Sequence, residues 1–124
     1  MPLNLERPDY TWFLRGADGA HVLVNERSIT RSCVVTPDTL VEDWPVTDVK
    51  AMTPDALEPV LALKPELVLL GSGARQVFPP ARVLVACLSR GIGLDTMTND
   101  AAARTYSVLA GEGRRVAAAF VLPG

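Results

Sequence analysis

The sequence predicts an α/β domain, and three observations carry that prediction. Up to about residue 44 the apolar residues fall in short runs broken by Gly, Pro and Asp, the pattern of short antiparallel strands. From Thr53 onward apolar residues recur at i, i+3 and i+4, the period of a helix packed on one face. Between Glu66 and Thr96 a branched apolar run, a helical segment and a second apolar run follow one another within about 30 residues, the length of a βαβ unit.

Each element has its own signal. Residues 10–15 are aromatic and apolar, Gly16-Ala17-Asp18-Gly19 is turn chemistry, and residues 21–24 resume the apolar run, so a β-hairpin is expected. Residues 32–36 supply a third strand through Cys33-Val34-Val35, Pro37-Asp38 breaks it, and residues 40–44 form another short strand before Pro45. This half is expected to be antiparallel. Thr53 is placed to cap a helix with Pro54 at its first position and Asp55 in its first turn, and Leu57, Val60 and Leu61 form its apolar stripe. Pro59 implies a kink or a restart, and Lys64-Pro65 ends the segment.

Residues 66–70 are apolar without alternation after Glu66, as in a central strand covered on both faces, and they run into Gly71-Ser72-Gly73. Pro79-Pro80 opens a helix with Val83, Leu84, Cys87 and Leu88 on one face, and Arg90-Gly91 closes it with a cation and a left-handed cap. Residues 92–96 form the next strand, parallel to 66–70 because a crossover helix joins them. Thr98 or Asn99 caps a third helix carrying Ala102, Tyr106, Leu109 and Ala110, which Gly111 and Gly113 stop. Residues 116–122 finish as a buried strand. With no linker or repeat between these elements, residues 1–124 read as one domain.

Composition narrows the function classes. With 48% apolar and 21% charged residues the chain is expected to fold throughout. Glu6, Arg7 and Asp9 interrupt the apolar core that an export signal needs. Charges recur too often for the roughly 18 to 20 uncharged residues of a membrane span. A soluble, cytoplasmic protein is therefore expected, with Cys33 and Cys87 as reduced, buried side chains. The net charge of −2 and the dispersed arginines give no footprint for a phosphate backbone, so nucleic acid is not an expected partner.

Chemistry, if present, belongs beyond the carboxyl ends of the parallel strands. That edge gathers Gly71, Ser72 and Gly73 with Asp95, Met97 and Thr98, while Arg75 and Gln76 stand near enough to contact an anionic or nucleotide-like ligand held by loops 71–76 and 95–99. The plainer reading is a strand-exit turn, because Gly-Ser-Gly lacks both the third glycine of a dinucleotide motif and the Gly-Lys-Ser/Thr of a P-loop. Asp95 likewise reads first as a structural carboxylate beside capping amides. His21 is the one histidine, so a triad or metal site would have to be built around a hairpin residue. No catalytic residue, metal or cofactor is assigned. Trp12, Phe13 and Trp44 read as core before partner anchors, and Arg104, Arg114 and Arg115 with Glu112 as a salt-bridged surface.

One linked set of motifs goes further: Pro65-Glu66-Leu67-Val68-Leu69-Leu70-Gly71-Ser72-Gly73, then Gly91-Ile92-Gly93-Leu94-Asp95-Thr96-Met97-Thr98, then Ala102, Thr105-Tyr106, Leu109 and Glu112-Gly113-Arg114-Arg115-Val116-Ala117-Ala118-Ala119. In this order they resemble a family of small bacterial and archaeal proteins of unknown function that includes the mitochondrial complex I (NADH:ubiquinone oxidoreductase) assembly factor 3. The resemblance covers about residues 10–122. It implies a three-layer α/β domain with a mixed central sheet, and it brings no established activity, cofactor or catalytic residue. The family's usual Gly-Thr-Gly turn stands here as Gly71-Ser72-Gly73, and the acidic residue that commonly precedes the Met-Thr pair is displaced to Asp95. Two expectations follow. One is a non-enzymatic interaction or assembly protein with an unidentified protein partner, serving a membrane or respiratory complex. The other is a small-ligand binding protein or enzyme using loops 71–76 and 95–99. Self-association through the antiparallel half is a further expectation, because edge strands need cover.

Overall fold

In the computed structural model, which describes residues 8–123, the early strands form two sheets rather than one. The reading of residues 1–7 as free of an export signal lies outside the described residues. β1 (Leu14–Ala17), β2 (Val22–Val24) and β3 (Arg27–Ile29) pair antiparallel in that order. The expected hairpin is present, but its turn sits further along. Gly16 and Ala17 remain in β1 across a register shift, and the Asp18 carboxylate accepts from the amides of Ala20 at 2.8 Å and His21 at 2.7 Å. An Asp side chain that mimics a turn carbonyl thus decides where the chain reverses. β3 was not expected: only Ile29 of its three residues is buried, too little for a period to show.

β4 (Cys33–Val35) pairs antiparallel with β5 (Leu40–Val41), which is shorter than the expected 40–44. Trp44 leaves the strand to bury its ring, and its indole N–H donates to the Ala56 carbonyl at 2.8 Å. Two short 3-10 turns, Val49–Ala51 and Pro54–Leu57, lead into α1 (Glu58–Leu61), so Pro59 does mark a restart. Thr53 holds the cap position without a side-chain cap bond. The second half follows as β6 (Leu67–Gly71), α2 (Ala81–Leu88), β7 (Gly93–Met97), α3 (Asn99–Gly111) and β8 (Val116–Phe120).

The central sheet has the order β5-β4-β8-β6-β7. β6 runs parallel to β7 and to β8, and β4 runs antiparallel to β8, so the sheet is mixed. The last strand is inserted in the middle. Its Val-Ala-Ala-Ala-Phe sequence is fully buried although alanine has little intrinsic preference for strands. Ladder bonds on both sides and small side chains that let both flanking layers approach account for this.

Alternate residues of the sheet point to opposite faces, and each face has its own core. Val68, Leu70, Ala117 and Ala119 meet Trp44, Leu57, Val60, Val83 and Cys87 on the α1–α2 side. Leu69, Ala118 and Phe120 meet Val22, Val24 and Tyr106 on the side covered by α3 and the small sheet. The result is three layers. Cys33 and Cys87 are free thiols buried in different layers.

Candidate functional site

Parallel pairing of β6 with β7, in the register Gly71↔Met97, brings the turn at 71–73 and the segment 95–98 to one rim. The polar groups there bond to one another. Ser72 donates its amide to the Met97 carbonyl at 2.9 Å, and its hydroxyl donates to the Arg75 carbonyl at 2.6 Å and accepts from the Val77 amide at 3.0 Å. Asn99 is the hub. Its side-chain oxygen accepts from the Gly73 amide at 3.1 Å, and its NH2 donates to the carbonyls of Asp18 at 3.0 Å and Val121 at 3.2 Å. Its own amide donates to the Gly73 carbonyl at 2.9 Å.

This buried asparagine therefore ties the β6 turn, the first hairpin and the end of β8 to the start of α3. The sequence marked it only as a candidate cap. The cap itself is Thr98, whose hydroxyl accepts from the Ala101 amide at 3.2 Å. Gly71 has to be glycine for the same reason: a Cβ there would overlap the Asn99 side-chain oxygen and press on the Phe120 ring.

Of the other residues singled out, Gln76 reaches the Thr96 carbonyl with its side-chain N–H at 2.9 Å. Arg75 is exposed, Asp95 is exposed on the edge strand, and Met97 packs partly against the α3-side core. The turn and the β7 end are thus brought together, whereas Arg75 faces solvent. Open space at this end of the sheet lies toward β8, in a cavity of about 260 Å3 where Ser72 and Gly73 meet Asp48, Val121 and Leu122. The Asp48 carboxylate there accepts from the Lys50 amide at 3.0 Å.

A larger groove, about 330 Å3, lies at the opposite end, beside the start of β8, among Tyr10, Pro37, Asp38, Leu63, Arg114 and Arg115. Arg114 pairs with Glu66 at 3.0 Å and holds that carboxyl below its ordinary range. Partial burial, with Asp9 adding to it, raises the Tyr10 phenol. His21 lies away from both spaces, its ring 3.3 Å from the exposed Asp18 carboxylate. Among the described residues no group of His, Cys, Asp and Glu is placed to hold a metal, and no helix is long and apolar enough to cross a membrane.

The structure corrects the sequence reading most at α2. Val83 and Cys87 are buried as expected, but Leu84 and Leu88, expected on the same face, are 39% and 57% exposed. Val85 at 61% and Phe78 at 65% join them in water. The helix is apolar over an arc wider than one contact can cover, so periodicity alone could not say which stripe meets the sheet.

Comparison with known proteins places this architecture. The NMR structure of Xanthomonas campestris XCC1710 is 58% identical and superposes with a TM-score of 0.83, over 98% of this chain and 92% of that one. A Mth938-like domain from Bordetella pertussis, solved in solution by NMR, is 26% identical with a TM-score of 0.81, over 98% of this chain and 92% of that one. Human NADH dehydrogenase [ubiquinone] 1 alpha subcomplex assembly factor 3 is 29% identical over 103 residues, which is 82% of this chain and 55% of that protein. The 13 kDa major membrane protein of Francisella tularensis subsp. holarctica is 30% identical over 76 residues, 61% of this chain and 62% of that protein. The aligned regions thus take up little more than half the length of these curated relatives. The family model for proteins of unknown function (DUF498/DUF598) matches residues 14–121, from the first strand to the residue after the last. The chain belongs to the DUF498/DUF598 family.

Proposed function

We propose that this protein is a non-enzymatic interaction protein that assists assembly of a membrane or respiratory complex, working as one cytoplasmic domain through a protein partner. The observation that carries this reading is the 103-residue likeness to the human complex I assembly factor, which takes in most of this chain rather than one motif. The exposed apolar residues of α2 add to it, since a large apolar surface left in water is a common mark of a binding face. The Francisella relative is itself named a membrane protein, which is in keeping with work at a membrane.

The small-ligand reading of Gly71, Ser72, Gly73, Arg75, Gln76, Asp95, Met97 and Thr98 has less behind it. The amides of Ser72 and Gly73 already serve protein acceptors, and an anion arriving there would have to displace them. Self-association through the antiparallel half, whose free edges are β1, β3 and β5, is compatible with an assembly role, and light scattering reads it directly.

The test is affinity capture of the tagged chain from its native cells under gentle extraction. A component of a membrane-bound or respiratory complex should be enriched reproducibly, and recovery of no reproducible partner would remove the reading. A thermal-shift series with nucleotides and acidic metabolites, with Arg75→Ala as control, separates the second reading. Stabilisation of the native chain that disappears in the variant would favour the ligand site.

A further inference from the structure

We propose that the outer face of α2 docks an amphipathic helix of a different protein, one whose apolar stripe is flanked by acidic residues. This rests on the interaction reading above and names the surface and the chemistry of its partner. Ala81, Leu84, Val85 and Leu88 stand at i, i+3, i+4 and i+7, the spacing by which one helix packs along another. Singly scattered exposed apolar residues are ordinary, but these are not scattered. Of the large apolar residues exposed among the described residues, Phe78, Leu84, Val85, Leu88 and Val108, four fall within residues 78–88. The opposite side of the helix, Val83 and Cys87, is already buried against the sheet.

Charge selects among the occupants. Between Glu66 and Asp95 the chain has no Asp, Glu or Lys, only Arg75, Arg82 and Arg90, although the whole carries a net −2. Arg90 is held by the Glu58 carboxylate at 2.7 Å, whereas Arg82, on α2 itself, forms no ion pair among the described residues. A second copy seated on this face would bring the same segment, which has no acid between Glu66 and Asp95 to meet Arg82, and this disfavours it. An anionic membrane surface is usually read by about four to eight clustered basic residues, and the arginines of this segment fall short of that. A helix with acids beside its apolar stripe satisfies both the stripe and Arg82, which stands next to it on α2.

The experiment places a photo-crosslinking benzoyl-phenylalanine at Val85 or Leu88 in the full chain in cells, with exposed Val108 on α3 as the control position. Adducts at 85 and 88 but not 108, mapped to a helical segment of another protein with Asp or Glu beside apolar residues at i, i+3, i+4 and i+7, are expected. A synthetic peptide of that segment should then bind at least about tenfold more weakly to Leu88→Glu, as for a central contact residue. It should also bind Arg82→Glu severalfold more weakly, with recovery when the peptide's acid is changed to Lys. Adducts to a second copy of this chain, to lipid, or to a segment without acidic flanks would overturn the proposal. A captured partner whose binding is untouched by Leu88→Glu, in a variant with unchanged thermal stability, would overturn it and leave the interaction reading standing. Recovery of no partner at all by either route would overturn both.

Discussion

The rim above β6 and β7 and the outer face of α2 are built from opposite materials. At the rim, glycines, a serine and an asparagine look from the sequence like a ligand cradle, and in the fold their donors and acceptors are matched to one another. On α2, an ordinary apolar stripe looks like core, and in the fold only Val83 and Cys87 are buried, whereas Leu84 and Leu88 are left in water. The difference teaches that a polar motif signals unused binding capacity only when its partners lie outside the chain. An apolar motif does so only when the sheet has already been covered by the other side of the same helix.

The sharpest way to break this comparison is at Asn99. Asn99→Ala strips buried partners from the Gly73 amide and the Asp18 and Val121 carbonyls, and should cost about 3 kcal/mol in chemical denaturation, at about 1 kcal/mol or more per orphaned group. Gly71→Ala should be similarly costly, because its Cβ meets the Asn99 side chain, and should cost clearly less in the Asn99→Ala background. Additive costs would mean that the rim is not organised by this pair.

The two faces can also be compared through their thiols. Burial, with Glu42 adding to it, pushes the Cys33 thiol up to about 12, and burial raises Cys87 with Arg90 partly opposing. Cys33 sits under the small sheet and α3, whereas Cys87 sits on a two-turn helix beside the edge strand. Native-state alkylation should therefore reach Cys87 at least about tenfold faster than Cys33, as expected for a less protected element. Equal rates would show that the faces open together.

Acid should loosen the stitched parts before α2. Backbone amides of Ala20 and His21 lower the Asp18 carboxyl, and Arg114 lowers that of Glu66. A carboxyl lowered on folding contributes stability that is present above its unfolded value and lost as pH falls through its folded one. Stability should hold from neutral pH to about 5 and decline below about 4, with a shallower decline in Asp18→Asn. A decline of the same steepness in that variant would remove Asp18 from the account. The smallest effect belongs to α2: Val85→Ser and Leu88→Ser should change stability by no more than about 0.5 kcal/mol. A larger loss would mean that these residues pack in the fold and are not free for a partner.

Much of the architecture was legible because it is local or nearly so. The unalternating run at β6, the helix signals around α3 and the strand–helix–strand spacing each reflect backbone geometry within a few residues, and all three match the fold. The Pro59 restart was equally plain, since a missing N–H is a property of one residue. β3 was invisible because three residues with one buried side chain carry no period. The turn at Asp18 was misplaced because Gly16 was free to continue as strand once the Asp18 carboxylate had bonded two amides further on.

By itself, then, the sequence determined most of the strands and helices, that β6 and β7 pair in parallel, and which family the motifs resemble, because chain geometry and residue chemistry act over short distances. Only the tertiary structure decided that β8 lies between β4 and β6, that Asn99 joins three distant segments, and that α2 turns Val83 and Cys87 but not Leu84 and Leu88 toward the sheet. Those outcomes depend on which surfaces compete for burial once all the layers are present, and no window of sequence contains that competition.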